Sequence, residues 1–155
     1  MRTWKAYGAA AAILLFLASG KMPGTDVGRL EPVEAVQVCR EDGQIAIKTD
    51  TGQRGRGITT AQALENLKET ASREVFLETA VFLLLDPALQ EELPELAACL
   101  RPNCRLCLYR GGEKLEKIAD YLEQQKLTFL LKQRDGGEIP YLYEREGQLY
   151  LEQGR

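Results

Sequence analysis

Two short runs of apolar and β-branched residues follow one another early in the chain. Residues 33–39 are rich in valine, and residues 44–49 alternate apolar and polar positions. Asp42 and Gly43 lie between the runs, and this dipeptide favours the tight turn that needs positive φ at both central positions. The pattern therefore predicts a β-hairpin.

The next segment has helical spacing. Thr59 and Gln62 stand at the positions of a capping box, in which the threonine oxygen accepts an orphan N–H and the glutamine returns the interaction. The apolar face of this predicted helix consists of Ala61, Leu64, Leu67 and Ala71. Residues 75–85 are apolar, with β-branched and aromatic members, and they predict a central strand.

A second helical segment begins at Asp86 and Pro87. Proline suits the first helical position because the N–H that it lacks would have no partner there. Pro94 lies inside the segment and predicts a kink or two short helices. The apolar positions at helical spacing are Leu89, Leu93, Leu96 and Leu100.

The last third of the chain continues the alternation. Residues 104–109 predict another strand, and residues 113–125 predict a third helix after the turn at Gly111 and Gly112. Residues 128–134 predict a short helix capped by Thr128. Residues 139–143 and 148–151, joined across Gly147, predict a closing hairpin. The third helix has the apolar face Leu115, Ile118, Ala119 and Leu122.

The predicted order is hairpin, helix, strand, helix, strand, helix, hairpin. Alternating strands and helices predict an α/β fold with α+β character, in which about three helices pack on a mixed β-sheet. A length of 155 residues suits one such domain. We assign residues 33–155 to it.

A hydrophobic segment precedes the domain. Arg2 and Lys5 lead into an apolar stretch, and a basic end before a short apolar run is typical of export signals. The cations stay in the cytoplasm, which places the domain on the extracytoplasmic side. Residues 1–20 are therefore predicted to be an N-terminal hydrophobic helix. It is a signal peptide cleaved before Lys21, a membrane anchor through residues 4–20, or a buried helix. Residues 21–32 contain proline and glycine and predict a linker.

The amino-acid composition reduces the number of functions that the chain could have. The net charge is −3 and histidine is absent. Nucleic-acid binding needs a concentrated positive surface, so we expect no nucleic-acid partner. Without imidazole the chain lacks the commonest general base and activator of nucleophiles. The solvent-exposed face of a helix accounts better than a catalytic pair for the acids Glu91, Glu92 and Glu95. We expect no enzyme, and we assign no catalytic, cofactor-binding or metal-binding residue.

Four cysteines, Cys39, Cys99, Cys104 and Cys107, allow an alternative. Cys104 and Cys107 have C-x-x-C spacing, but on a strand their side chains would point to opposite faces. That geometry opposes a mutual disulfide or a shared metal. A disulfide between Cys99 and Cys104 stays open for an exported chain. The alternative function is a small exported thiol or metal-binding protein that uses Cys99, Cys104 and Cys107.

Two further features carry candidate chemistry. Arg54 and Arg56 lie in the glycine-rich stretch of residues 51–57, which favours either an anion-binding loop or a strand end with solvated arginines. A ligand-binding domain with a pocket beside this loop is a third functional alternative. The closing hairpin carries tyrosines that form either a cross-strand cluster or an exposed contact surface. These are Tyr141, Tyr143 and Tyr150.

The order and spacing of several stretches resemble the N-terminal domain of the C-subunit lipoproteins of spore germinant receptors. Residues 57–67 are similar to the first helix of that family, with its Gly-x-Thr start. Residues 73–77 and 81–85 are similar to the buried strand that follows and to the basic residue before it. Residues 138–142 and 146–151 are similar to its Leu-Pro segment and glycine-containing hairpin.

Members of that family carry a lipid-modified cysteine after the signal and continue through further domains. Here Gly20 is followed by Lys21, and the sequence ends at Arg155. The resemblance therefore implies a stand-alone, shortened relative. It implies a non-enzymatic, membrane-associated protein of spore formation or germination that acts through protein–protein contacts. The expected partners are germinant-receptor or other spore membrane proteins, and the expected location is the membrane, or the exterior after cleavage of the signal.

Overall fold

The computed structural model describes residues 30–153. The predicted hydrophobic helix over residues 1–20 lies outside the described residues. The strands are β1 (Leu30–Pro32), β2 (Ala35–Glu41), β3 (Gln44–Thr49), β4 (Arg54–Gly57), β5 (Glu74–Phe76), β6 (Phe82–Leu85), β7 (Arg105–Tyr109), β8 (Tyr141–Arg145) and β9 (Gln148–Glu152). The α-helices are α1 (Thr60–Thr70), α2 (Leu93–Cys99) and α3 (Leu115–Gln124), and short 3₁₀ helices cover Leu77–Thr79, Pro87–Glu92 and Leu131–Gln133.

Seven of these strands form one mixed sheet in the order β4-β3-β2-β6-β7-β8-β9. The central strands β2, β6, β7 and β8 run parallel, and antiparallel pairs flank them on both sides. Strands β1 and β5 form a separate parallel ribbon. The predicted α/β fold, a mixed sheet with three packed α-helices, is confirmed for the described residues.

Both predicted hairpins are present. Asp42 and Gly43 have φ angles of 50° and 77°, and Glu146 and Gly147 have 52° and 75°. Both turns therefore have positive φ at two consecutive residues, as a two-residue hairpin turn requires. Strand pairing begins at Leu30 in β1, three residues before the predicted domain boundary.

The sheet is covered on both faces. Helices α1 and α2 pack on one face, and α3 packs on the other. Leu83 and Leu85 of β6 contribute to the first core, whereas Phe82 and Leu84 contribute to the second. Burial on both faces explains why the central strand is apolar without alternation. The predicted face of α3 is confirmed, since all four of its apolar residues are buried.

The segment after β6 also follows its prediction. The Asp86 side chain accepts a hydrogen bond from the Ala88 N–H at 2.9 Å, and Pro87 opens the 3₁₀ helix. Pro94 lies in the first turn of α2, so the segment consists of two short helices. The predicted apolar positions of this segment are all buried.

The prediction of one strand over residues 75–85 is wrong. The run divides into β5, a 3₁₀ turn and β6, because Glu78 and Thr79 interrupt its apolar character. The Thr79 hydroxyl accepts a hydrogen bond from the Val33 N–H at 2.8 Å and lies 3.0 Å from the Val33 carbonyl oxygen. This polar anchor joins the turn to the residue that leads into β2.

The predicted apolar face of α1 is shifted. Ala61 is exposed, and the buried positions are Thr60, Ala63 and Leu67. Strand β4 sets this face, because a Cβ atom on Gly55 would lie 2.3 Å from the Ala63 carbonyl oxygen. Only glycine allows the helix to lie so close to the strand.

The predicted cap at Thr128 is also wrong. Leu130 forms an isolated antiparallel bridge with Arg105, and the Leu131 N–H donates to the Cys104 carbonyl at 2.7 Å. The chain therefore stays extended beside β7 until Leu130, which stands at the N-cap of the 3₁₀ helix Leu131–Gln133. Within residues 30–153, no helix has both the length and the apolar character that crossing a bilayer requires.

Candidate functional site

The four cysteines do not form a site in the described part of the chain. All four are free thiols. Cys104 packs in the core beside α1 and α2, and Cys107 packs in the core beside α3, so the two lie on opposite faces of the sheet as predicted. Residues 30–153 contain no group of three or more cysteine, aspartate or glutamate side chains that could hold a metal ion.

Burial also makes three of these thiols, those of Cys39, Cys104 and Cys107, poor nucleophiles. Burial raises the pKa of Cys104 to about 12, and it raises the pKa of Cys107 further. Burial likewise raises the pKa of Cys39, although the nearby Lys48 opposes the effect. Since the thiolate is the reactive form and the metal ligand, the environment of these cysteines works against both roles.

Within the glycine-rich stretch, residues 51–53 belong to a turn and Arg54–Gly57 form strand β4, and both guanidinium groups contact the Glu41 carboxylate. The contact from Arg56 Nη2 to Glu41 Oε2 is 3.1 Å, and Lys48 Nζ contacts the same carboxylate. We call Glu41, Lys48, Arg54 and Arg56 the charged cluster.

Strand register brings the charged cluster together. Lys48 of β3 lies directly opposite Gln37 of β2 on one side and Arg54 of β4 on the other. In the next row Ala46 lies between Cys39 and Arg56. The small alanine leaves room above the sheet for the Glu41 carboxylate. This cluster was not predicted, because it depends on which strands are neighbours.

The tyrosines of the closing hairpin form the predicted cross-strand cluster and also stay partly exposed. Tyr143 and Tyr150 are paired across β8 and β9, and their rings are stacked with centroids 5.5 Å apart. The Tyr141 ring lies 6.4 Å from that of Tyr143. Tyr143 and Tyr150 nevertheless remain 38% and 40% exposed. We call Tyr141, Tyr143 and Tyr150 the tyrosine surface.

The outer edge of β9 is partly closed by α3. The Tyr121 hydroxyl accepts a hydrogen bond from the Leu151 N–H at 3.2 Å, so a backbone donor that faces away from β8 is occupied. No other strand of the described residues pairs with this edge. Since an unpaired edge invites strand addition, Tyr121 protects it. A partner therefore has better access to the tyrosine surface than to the β9 backbone.

Two of the three acids that were predicted to lie on a wet helix face do so, whereas Glu92 is half-buried. Glu91 and Glu95 are exposed, and Glu92 accepts a hydrogen bond from the Thr60 hydroxyl at 2.6 Å. A different acid was missed: Asp86, which is 5% exposed, forms an ion pair with Arg110 at 2.9 Å. The sequence marked Asp86 only as a helix cap.

The comparisons with known proteins add no relative. No protein-family model matches the chain, and no curated protein or solved structure matches it at a significant level.

Proposed function

We propose that this chain is a non-enzymatic domain that binds a protein partner through the tyrosine surface. The observation that carries the proposal is the stacked pair of Tyr143 and Tyr150, which keeps more than a third of each side chain exposed. Tyrosine is enriched at protein interfaces because it offers large, rigid contact area together with a polar hydroxyl. Stacking fixes both rings before a partner arrives, so little side-chain entropy is lost on binding.

The proposed partner segment carries lysine or arginine side chains. Residues 141–152 contain Glu144, Glu146 and Glu152 but only one cation, Arg145. By strand alternation Glu144 lies on the face opposite Tyr143, so a cationic segment on the tyrosine surface would meet mainly the π faces of the tyrosines, together with Glu152 and the turn residue Glu146. A cation above an exposed aromatic ring contributes about 0.5–1 kcal/mol. An acidic partner would meet like charge on the same hairpin.

The cellular setting of the proposal follows the resemblance to germinant-receptor C-subunits. The chain would act in spore formation or germination, as a relative of those lipoproteins. Residues 4–20 would hold it at the extracytoplasmic side of the membrane, and cleavage before Lys21 would instead release it. A membrane tether raises the effective concentration for a membrane-bound partner, so a surface as small as this one suffices.

Genetic complementation tests the surface in a spore-forming host that lacks the chain. The wild-type chain should restore germination or sporulation, and a Tyr143→Ser/Tyr150→Ser variant should not. Ile58→Ser is the matched control, because Ile58 is an exposed large apolar residue, at 74%, away from the hairpin. Full restoration by the double tyrosine variant at normal protein levels would exclude the tyrosine surface.

Photo-crosslinking tests the chemistry of the partner. A benzophenone amino acid at position 150 should give one discrete adduct in cells, and the same group at position 58 should not give that adduct. Mass spectrometry of the adduct should find lysine or arginine within a few residues of the crosslinked site. A site surrounded by acidic residues would contradict the proposed partner chemistry.

A further inference from the structure

The charged cluster carries more positive than negative charge. Lys48, Arg54 and Arg56 share the single carboxylate of Glu41, so three cations face one anion. Asp42 approaches Arg56 only to 4.0 Å, and its side chain is 89% exposed, so solvent screens it. Like charges directly opposite each other on neighbouring strands are destabilising, and Lys48 and Arg54 are such a pair. Two positive charges of the cluster therefore remain without a close counter-ion that is shielded from solvent.

A cavity lies beside the cluster. It has a volume of about 290 Å³, and Lys48 and Arg54 contribute to one wall. The cavity is open to solvent, and its volume is enough for a small organic ligand. The turn residues Thr49, Gly52 and Gln53 complete this side of the cavity.

The start of α3 forms the opposite wall. Lys114 is its N-cap residue, and its ammonium-bearing side chain makes no capping hydrogen bond. The positive end of the helix dipole and the Lys114 charge therefore add to the field of the cluster. Glu113 is the one acid that lines the cavity, and its carboxylate accepts the Lys114 N–H at 3.1 Å and forms an ion pair with Lys117 at 2.9 Å, so a phosphate would have to reach the N–H groups beyond Lys114.

A buried polar side chain helps to line the cavity between these walls. Gln37 is 2% exposed, and its Nε2 donates to the Gly111 carbonyl at 3.0 Å. This bond holds the amide in place and joins β2 to the turn before α3. Buried amides are uncommon in a sheet centre unless they are hydrogen-bonded, and here the amide lies opposite Lys48 of the neighbouring strand.

We propose that this cavity binds a small phosphate monoester, with the phosphate between Lys48, Arg54 and the start of α3. A phosphate dianion balances the two charges that Glu41 leaves uncompensated, whereas a monocarboxylate balances only one. Arginine and helix N-termini are both suited to phosphate oxygens. The site is separate from the tyrosine surface, and it does not depend on the function proposed for that surface.

Calorimetry of the full chain in a non-ionic detergent tests this site. Inorganic phosphate and glycerol phosphate are titrated at constant ionic strength against a chloride baseline. Both should bind with a stoichiometry of one. Acetate should bind at least about tenfold more weakly than phosphate, because it carries half the charge of a phosphate dianion. Absence of phosphate binding, or acetate binding of equal affinity, would overturn the proposal.

Matched variants locate the binding. Lys48→Gln and Arg54→Gln should each weaken phosphate binding about tenfold, since each removes a charge-assisted contact. Lys132→Gln and Arg73→Gln remove the same charges at exposed positions away from the cavity and should leave the affinity unchanged. Glu41→Gln should strengthen binding about threefold, because it removes the competing anion. Weaker binding in Glu41→Gln, with its melting temperature retained, would overturn the assignment.

Discussion

The Asp86 carboxylate and the Arg110 guanidinium join the carboxyl ends of β6 and β7 through an Oδ1–Nη2 contact of 2.9 Å. Asp86 also accepts the Ala88 N–H, so one side chain links two parallel strands and caps a helix. We expect Asp86→Ala to lower the free energy of unfolding by about 1–3 kcal/mol, since it removes both the helix cap and the ion pair with Arg110. Arg110→Ala should cost less, because Arg110 is mostly exposed and the cap survives. Urea denaturation measures both, and equal losses would contradict this division.

The same carboxyl gives stability a defined pH dependence. Burial alone would raise the pKa of Asp86, but the hydrogen bonds from Arg110 and Ala88 outweigh burial and lower it. A carboxyl whose folded pKa lies below its unfolded pKa of about 3.9 stabilises the protein fully above that pH. Its contribution is lost as the pH falls through the folded pKa. The stability difference between wild type and Asp86→Asn should therefore be constant above about pH 5 and shrink below about pH 4. A difference that widens in acid would refute this.

Thiol accessibility should divide the cysteines into two groups. Cys99 is partly exposed, whereas Cys39, Cys104 and Cys107 are buried, and burial raises the pKa of each of these three. We expect a disulfide reagent at neutral pH to modify Cys99 rapidly and the other three only on unfolding. Counting reactive thiols before and after adding denaturant measures this. Fast modification of Cys107 in the folded protein would show that the central strand is not buried as described.

The cysteines should also be dispensable for folding. No disulfide joins them, so Cys104→Ala and Cys107→Ala lose only packing, which we expect to cost about 1–3 kcal/mol each. Cys99→Ala should cost less because Cys99 is partly exposed. Chemical denaturation of the three variants compares them. Stoichiometric zinc in the purified wild type, with unfolding on chelation, would instead support the alternative metal-binding function.

The contact between β4 and α1 should be intolerant of a single methyl group. A Cβ on Gly55 would lie 2.3 Å from the Ala63 carbonyl oxygen and 2.5 Å from the Leu67 nitrogen, and backbone atoms cannot move aside cheaply. We expect Gly55→Ala to lower the melting temperature strongly, at a cost of about 1–3 kcal/mol or more. Gly136→Ala is the control, because its Cβ would meet nothing within 4 Å. Similar melting temperatures for the two variants would argue against the close approach of α1.

The domain should fold without its hydrophobic leader. Every core residue identified in the described part lies between Val33 and Leu149. A chain that begins at Thr25 should therefore be soluble and unfold cooperatively in a thermal scan. Aggregation, or a disordered circular-dichroism spectrum, would show that the leader contributes to the core.

Local chemistry explains which parts of the fold were predictable. The two hairpins carry their own turn signals, and the face of α3 follows from four residues at helical spacing. A single long strand over residues 75–85 was predicted because most residues of this segment are apolar, and the two polar residues Glu78 and Thr79 were given too little importance. Thr79 breaks the run by bonding to Val33, a residue 46 positions away, and no local pattern records that bond.

The sequence predicted two of the four members of the charged cluster. Arg54 and Arg56 were recognised as candidate anion ligands, but their partner Glu41 and neighbour Lys48 were not. Whether three strands lie side by side, and in which register, is a property of the assembled sheet. The same holds for Asp86 and Arg110, which parallel pairing of β6 and β7 brings together. The tyrosines were found because a hairpin is a local element whose cross-strand pairs can be counted from its turn.

With the proposed membrane anchor, strand β1 limits how far the domain can extend from the membrane. Its parallel pairing with β5 fixes the point at which the chain leaves the domain towards its N-terminus. With residues 4–20 in the bilayer, as proposed, residues 21–29 are the connection. Nine residues cannot extend beyond about 32 Å in any conformation. That exit point is then held within about 32 Å of the membrane, and the domain can contact only partners whose exposed parts lie within that distance plus the diameter of the domain itself.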